Sequence, residues 1–267
     1  MSTEIRAVKT ENFTMDYCTF GSGRKILVIL PGLSVQSVML SADAVAQLYA
    51  SMTDDYTIYL FDRRKELPDR YPVKEMAKDT LTAIHTLGLK KVSIFGASQG
   101  GMMAMEIASL EPESVKKLIL GSTSAHVEKA RFTLFNQWID LARSQDAAGL
   151  YTAFGKAIYP PQVFESAKEQ FLTAAKTVTK EDLERFVILA EGIRDLDFSE
   201  DIKKIICPTL VLGSKDDNVL GGEASERIAD VIKKNAKCEM FMYEGYGHAV
   251  YDLAPDYLER MKAFLAD

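Results

Sequence analysis

Phe95-Gly96-Ala97-Ser98-Gln99-Gly100-Gly101 contains the spacing Gly-x-Ser-x-Gly, and its flanks decide what that spacing means. Upstream, Lys91-Val92-Ser93-Ile94-Phe95 is a short apolar run with β-branched residues, the composition of a strand. Downstream, Met102-Met103-Ala104-Met105-Glu106-Ile107-Ala108-Ser109-Leu110 is a run of helix formers. A strand, a sharp turn and a helix strain the backbone at the turn and lift the Ser98 hydroxyl clear of the sheet, the context of a nucleophile elbow. Gly96, Gly100 and Gly101 have no Cβ atoms to collide as strand and helix close together. Without those flanks the same letters would describe an ordinary glycine-rich loop.

The 267 residues around this turn are 47% hydrophobic and 26% charged, enough for one large α/β core with an insertion. A net charge of -6 opposes nucleic acid as the main partner. The densest basic run, Arg63-Arg64-Lys65, reads as a solvated loop. Cys18, Cys207 and Cys238 are far apart and odd in number, which fits buried free thiols in a reducing compartment. Met1-Ser2-Thr3-Glu4-Ile5-Arg6 has no apolar signal region, and no stretch has the roughly 18 apolar residues of a membrane span. The expectation is a cytoplasmic protein with no membrane partner.

Apolar runs at 13–20, 26–30, 57–61, 91–95, 117–121, 209–213 and 239–243 alternate with helical patterns at 41–52, 73–87, 99–110, 222–234 and 255–265. Such alternation predicts βα units and a mostly parallel sheet. Gly88 suits the end of the second helix, and Pro112 blocks continuation of the third. The alternation stops between about Ala125 and Asp201, where Phe132, Phe135, Ile139 and Ala142 share one helical face, as do Phe164, Ala167, Phe171 and Ala174. Because strands resume at Pro208-Thr209-Leu210-Val211-Leu212, this stretch is expected to be a helical cap on the sheet rather than a separate helical domain. The expected division is a core of 1–124 and 201–267 with a cap at 125–200.

A serine hydroxyl is a weak nucleophile at neutral pH and needs a base, which a carboxylate must orient. In a strand–turn–helix setting the chain order is Ser, acid, His. Of the three histidines, His85 precedes Ser98, and no acid at a strand end separates His126 from it. His248, in Tyr243-Glu244-Gly245-Tyr246-Gly247-His248-Ala249-Val250 just past the last apolar run, is the one that fits. The acid belongs at the end of an intervening strand. Lys117–Gly121 is followed by Ser122-Thr123-Ser124 without a carboxylate, whereas Leu210-Val211-Leu212-Gly213-Ser214-Lys215-Asp216-Asp217 supplies two. One of the pair is a turn former or helix cap, and Asp216 is taken as the acid. Two amides should meet the oxygen that gains charge. The residue after the nucleophile, Gln99, gives one, and Leu33 in the loop Pro31-Gly32-Leu33-Ser34 gives the other.

With these features in order, the chain resembles the α/β-hydrolase fold superfamily over nearly its whole length. The resemblance rests on Pro31-Gly32-Leu33, Asp62-Arg63, Gly96-Ala97-Ser98-Gln99-Gly100-Gly101, Gly213-Ser214-Lys215-Asp216 and Gly247-His248. It implies an eight-stranded, mostly parallel sheet flanked by helices, with a helical cap inserted after the sixth strand. It also implies Ser98 as nucleophile, Asp216 as acid, His248 as base, and the amides of Leu33 and Gln99 as the oxyanion hole. Pro31-Gly32 stands where many members have His-Gly, and Asp62-Arg63-Arg64-Lys65-Glu66-Leu67 departs from the common Asp-x-Arg-Gly-x-Gly. A serine at 98 argues against haloalkane dehalogenases and epoxide hydrolases, since a resemblance to those would require Asp there.

The expected activity is hydrolysis of a small to medium, rather apolar carboxylic ester through an acyl-enzyme on Ser98. Phe132, Phe135, Trp138, Tyr151, Phe154, Tyr159, Phe164, Phe171 and Phe186 supply cap packing, with a few left to line an acyl pocket beside Met39, Met102 and Met103. The same scaffold also serves thioesterases, lactonases, carbon–carbon hydrolases, haloperoxidase-like enzymes, hydroxynitrile lyases and ligand receptors that retain the triad. No metal or cofactor is expected, because the histidines lack paired spacing and no Gly-x-Gly-x-x-Gly follows the first strand. The expected partner is a small molecule, and the sequence is silent on oligomeric state.

Overall fold

In the computed structural model, which describes residues 3–266, the apolar runs pair into one eight-stranded sheet of order β1-β2-β4-β3-β5-β6-β7-β8. The strands are β1 Ile5–Lys9, β2 Thr14–Phe20, β3 Lys25–Leu30, β4 Tyr56–Arg64, β5 Val92–Ala97, β6 Val115–Gly121, β7 Thr209–Ser214 and β8 Cys238–Tyr243. β2 runs antiparallel to β1 and β4, and every other pairing is parallel. The helices are α1 Ala42–Leu48, α2 Val73–Thr86, α3 Gln99–Leu110, α4 Phe132–Arg143, α5 Ala147–Ile158, α6 Pro161–Ala175, α7 Lys180–Glu191, α8 Gly222–Ile232, α9 Val250–Leu253 and α10 Tyr257–Ala266.

The central strands read as unbroken apolar runs because both faces of the sheet are covered. Along β3, Val28 and Leu30 join the core beneath α2 and α3, while Leu27 and Ile29 join the core beneath α10. Successive side chains of a strand point to opposite faces, so a covered sheet needs both sets apolar. Helix α3 is buried from Gln99 to Ser109, which explains a sequence that is apolar all round.

The structure departs from the expected elements in three places. β1 is an added edge strand whose only buried residue is Val8, so its apolar signal is faint. The expected helix at 41–52 is divided: a 3-10 turn at Val38–Ser41, then α1, then a 3-10 turn at Ala50–Met52. Near the C-terminus, Pro255 holds Ala254 extended (φ -73°, ψ 123°), and this separates α9 from α10.

Between β6 and β7 the chain forms α4 to α7 in succession. Its two ends meet at a neck, where Phe198 N donates to Ala125 O at 2.7 Å and Val127 N to Leu196 O at 3.1 Å. Asp146 caps α5 by accepting from Gly149 N, and Thr179 with Asp182 forms a reciprocal capping box on α7. A relay of ring contacts through Phe132, Phe135, Trp138, Phe154 and Phe186 packs the interior of this segment.

Candidate active site

The direction of strand addition reverses at β3, which lies between β4 and β5. In open α/β sheets the crevice outside the carboxyl ends of the strands at such a point accepts ligands. Two loops enter it: Pro31-Gly32-Leu33 after β3, and Ser98 between β5 and α3.

Ser98 has φ 52° and ψ -120°, a backbone conformation that side-chain-bearing residues rarely adopt. Packing on all sides enforces it. A Cβ on Gly96 would lie 2.3 Å from Gly100 O, and one on Gly100 would lie 2.0 Å from Leu30 O. β5, α3 and β3 are therefore closer together than any side chain permits. Ser98 N donates to Gly121 O at 2.8 Å, and Thr123 Oγ1 donates to Ser98 O at 2.7 Å. Gly32 crosses directly alongside, since a Cβ there would sit 3.2 Å from Ser98 Cβ.

His248 Nε2 is 2.9 Å from Ser98 Oγ. The ring is 2% exposed, and its Nδ1 lies 2.8 Å from Asp217 Oδ2. A neutral imidazole with its proton on Nδ1 satisfies both contacts, donating to the carboxylate and accepting from the serine hydroxyl. The carboxylate is held in turn, because Asp217 Oδ1 accepts from Val219 N at 2.8 Å and Leu220 N at 3.0 Å. Burial opposes the charge on Asp217, but the His248 ring and the Leu220 and Val219 amides outweigh it and hold the carboxyl below its ordinary range.

The structure thereby corrects the expected acid. Asp216 faces away from the imidazole and fastens the histidine loop instead. Its Oδ1 accepts from Gly245 N and Ser214 Oγ, and its Oδ2 from Gly247 N. Gly245 and Gly247 turn at φ +88° and +64°. Adjacent residues on a turn point in different directions, so only one of the two aspartates can face His248. The buried one does: Asp217 is 7% exposed, while Asp216 is open to solvent.

Gln99 opens α3, where first-turn amides have no acceptor within the helix. Its fully buried side chain links two parts of the molecule. Oε1 accepts from Arg63 Nη2 at 2.9 Å, and Nε2 donates to Leu189 O of α7 at 2.7 Å. Arg63 Nη2 also donates to Pro31 O at 2.8 Å. Arg63 is 3% exposed, contrary to the expected solvated loop, and burial lowers its guanidinium to about 10 despite the nearby Asp62. Asp62 accepts from Ser37 Oγ and from Arg185 Nη2 of α7. A polar lattice under the Pro31 loop therefore ties the helical segment to the sheet. Spacing alone does not distinguish Asp217 or Arg63 from its neighbours.

A cleft of about 530 Å3 opens beside this centre, bounded by the Pro31–Ser41 loop, α5, α6 and α9. Tyr151, Phe154, Tyr159 and Phe171 face it, whereas Phe132, Phe135, Trp138, Phe164 and Phe186 are buried. Met102 and Met103 are core residues at 0% exposure and do not serve as the expected pocket walls. A second cavity of about 510 Å3 lies at the opposite end of the sheet, among Arg24, Lys25, Lys90 and Lys91, away from Ser98, Asp217 and His248.

A family model described as "alpha/beta hydrolase fold" matches residues 25–255. Among relatives, "Putative carbamate hydrolase RutD" of Stutzerimonas stutzeri (strain A1501) is 22% identical, with 77% of this chain and 80% of that one covered. "Putative esterase/lipase" of Haemophilus influenzae is 26% identical over 84% of this chain and 78% of its own. Among solved structures, MGS-M2, an alpha/beta hydrolase enzyme from a Medee basin deep-sea metagenome library, superposes with a TM-score of 0.86 at 19% identity, covering 98% of each chain.

Proposed function

Because this chain belongs to the alpha/beta hydrolase fold family, we propose that it is a serine hydrolase that cleaves a small to medium carboxylic ester. The observation that carries this reading is His248 spanning Ser98 Oγ at 2.9 Å and Asp217 Oδ2 at 2.8 Å. That continuous path gives the serine a base and the base an orienting carboxylate.

In the first half-reaction Ser98 Oγ attacks the carbonyl carbon while His248 Nε2 takes its proton. Asp217 keeps the imidazole in the productive tautomer and stabilises the imidazolium. The amides of Leu33 and Gln99 receive the negative charge on the carbonyl oxygen. Collapse of the tetrahedral intermediate expels the alcohol, which takes the proton from His248. Water then attacks the acyl-serine with His248 again as base, and the acid leaves. The segment 125–200 acts as a cap that walls the cleft.

The carbamate hydrolase name carried by several relatives supports a neighbouring reading, in which the group passed to Ser98 is a carbamoyl group. The relay is unchanged, and only the acyl substituent differs. Intact mass after treatment with a fluorophosphonate tests the shared step. One adduct on wild type and none on Ser98→Ala is expected, with turnover of short-chain esters by wild type alone. A folded wild type that takes no adduct and turns over neither esters nor carbamates contradicts the proposal and favours a receptor with an idle triad.

A further inference from the structure

The cleft beside Ser98 has an unusual chemical makeup. Among the described residues that line it, Asp252 is the one with a formal charge. Around it the walls include the rings of Tyr151, Tyr159, Phe171 and Tyr251. Three of these rings form a connected group: Tyr159 and Phe171 have centroids 5.7 Å apart, and Tyr151 and Phe171 6.4 Å apart. All four are partly exposed, so each keeps some surface toward the cleft, although Phe171 also stacks on Phe164.

Asp252 opens to the cleft but has protein behind it. Its Oδ2 accepts one hydrogen bond, from Tyr159 Oη at 3.1 Å. No basic side chain pairs with it among the described residues. A carboxylate so placed has lost part of its hydration, which raises its pKa, and the Tyr159 hydroxyl and the more distant His248 ring offset this only in part. Aromatic faces carry negative potential and attract cations, most strongly when these are weakly hydrated. An ammonium group entering here meets both attractions, whereas a carboxylate or phosphate meets two repulsions.

The cleft also connects to the chemistry. Leu33, the proposed oxyanion donor, lies on its wall. Tyr251, beside Asp252, sets its ring edge-on to His248 with centroids 6.3 Å apart.

We propose that this cleft binds a substituted ammonium group, so that the preferred substrates are esters of cationic amino alcohols, with Asp252 and its surrounding rings as the recognition site. This rests on the hydrolase reading for its substrate class, though the recognition site itself does not depend on turnover.

The test compares a trimethylammonioethyl ester with its neutral 3,3-dimethylbutyl isostere, using wild type and Asp252→Asn. Choline binding is measured by calorimetry on the same samples. Wild type is expected to favour the cationic ester at least tenfold in kcat/KM, with that ratio falling fivefold or more in Asp252→Asn. Choline should bind wild type and bind the variant more weakly by a similar factor. Equal kcat/KM for the two esters in wild type, or a ratio and a choline affinity unaltered by Asp252→Asn, overturns the proposal. Choline binding that depends on Asp252 in a protein whose Ser98 takes no fluorophosphonate supports the recognition site and removes the hydrolase reading.

Discussion

Arg63 Nη2 donates to Gln99 Oε1 at 2.9 Å, so a buried guanidinium stands behind the residue that follows Ser98. The same nitrogen holds Pro31 O at 2.8 Å, and the two loops that carry the proposed oxyanion amides therefore share one anchor. In Arg63→Met, Gln99 Oε1 would lose its partner in a fully buried position and Pro31 O in a partly buried one. Each such group costs about 1–3 kcal/mol. We expect a loss of stability of about 2–4 kcal/mol by urea unfolding. In the variant that remains folded, kcat should fall about tenfold or more with a smaller change in KM. A full-rate kcat in Arg63→Met would remove this positioning role.

The elbow glycines differ sharply from the loop glycines in what they tolerate. Gly100→Ala places a methyl group 2.0 Å from a backbone oxygen of β3, and neither partner can yield. A stability loss of about 3 kcal/mol or more is expected, or failure to fold. Gly88 ends α2 at φ +70°, and an added methyl group there would meet nothing within 4 Å, so Gly88→Ala should cost only about 1 kcal/mol, from backbone strain. Thermal unfolding of the two variants side by side checks the contrast, and similar losses would contradict it.

Glu106 gives a pH-dependent prediction. It lies within α3 at 1% exposure, with Lys74 Nζ 3.4 Å away and no hydrogen bond to either carboxylate oxygen. Burial raises its pKa, and Lys74 offsets this only in part. A carboxyl raised in the fold binds its proton more tightly there than in the unfolded chain. Stability therefore declines as pH rises from the ordinary glutamate value through the raised one. Glu106→Gln should raise Tm by about 2 °C near pH 8, with the gain shrinking as pH falls toward about 4. A lower Tm at the higher pH would mean that the Lys74 pair outweighs burial.

Much of this fold is legible in the sequence because its signals are local. The Gly-x-Ser-x-Gly turn is marked by its own flanks, and β3 and β5 are apolar runs because the sheet is covered on both faces. His248 follows from chain order alone. The choice between Asp216 and Asp217 does not, because both occupy the same strand-end loop and only the turn's three-dimensional path decides which faces the imidazole. Arg63 is equally hidden: in Arg63-Arg64-Lys65 the three cations look alike, yet only Arg63 is enclosed, by contacts from Pro31 and Gln99 far along the chain. β1 escapes notice for the opposite reason, since an edge strand with one buried residue leaves little pattern to detect.

In the proposed mechanism Asp217, through His248, makes Ser98 reactive, and a paired kinetic comparison with Asp216 decides whether it does. Asp217→Asn and Asp216→Asn should be compared for kcat on one short-chain ester, with circular dichroism to show that both fold. Asp217→Asn would stabilise the wrong imidazole tautomer, and a drop on the order of 10³–10⁴-fold is expected. Asp216→Asn weakens the tether on the Gly245–Gly247 loop but leaves the relay intact, and a loss of about tenfold or less is expected. The reverse ranking, or two equal and modest losses, would contradict the account.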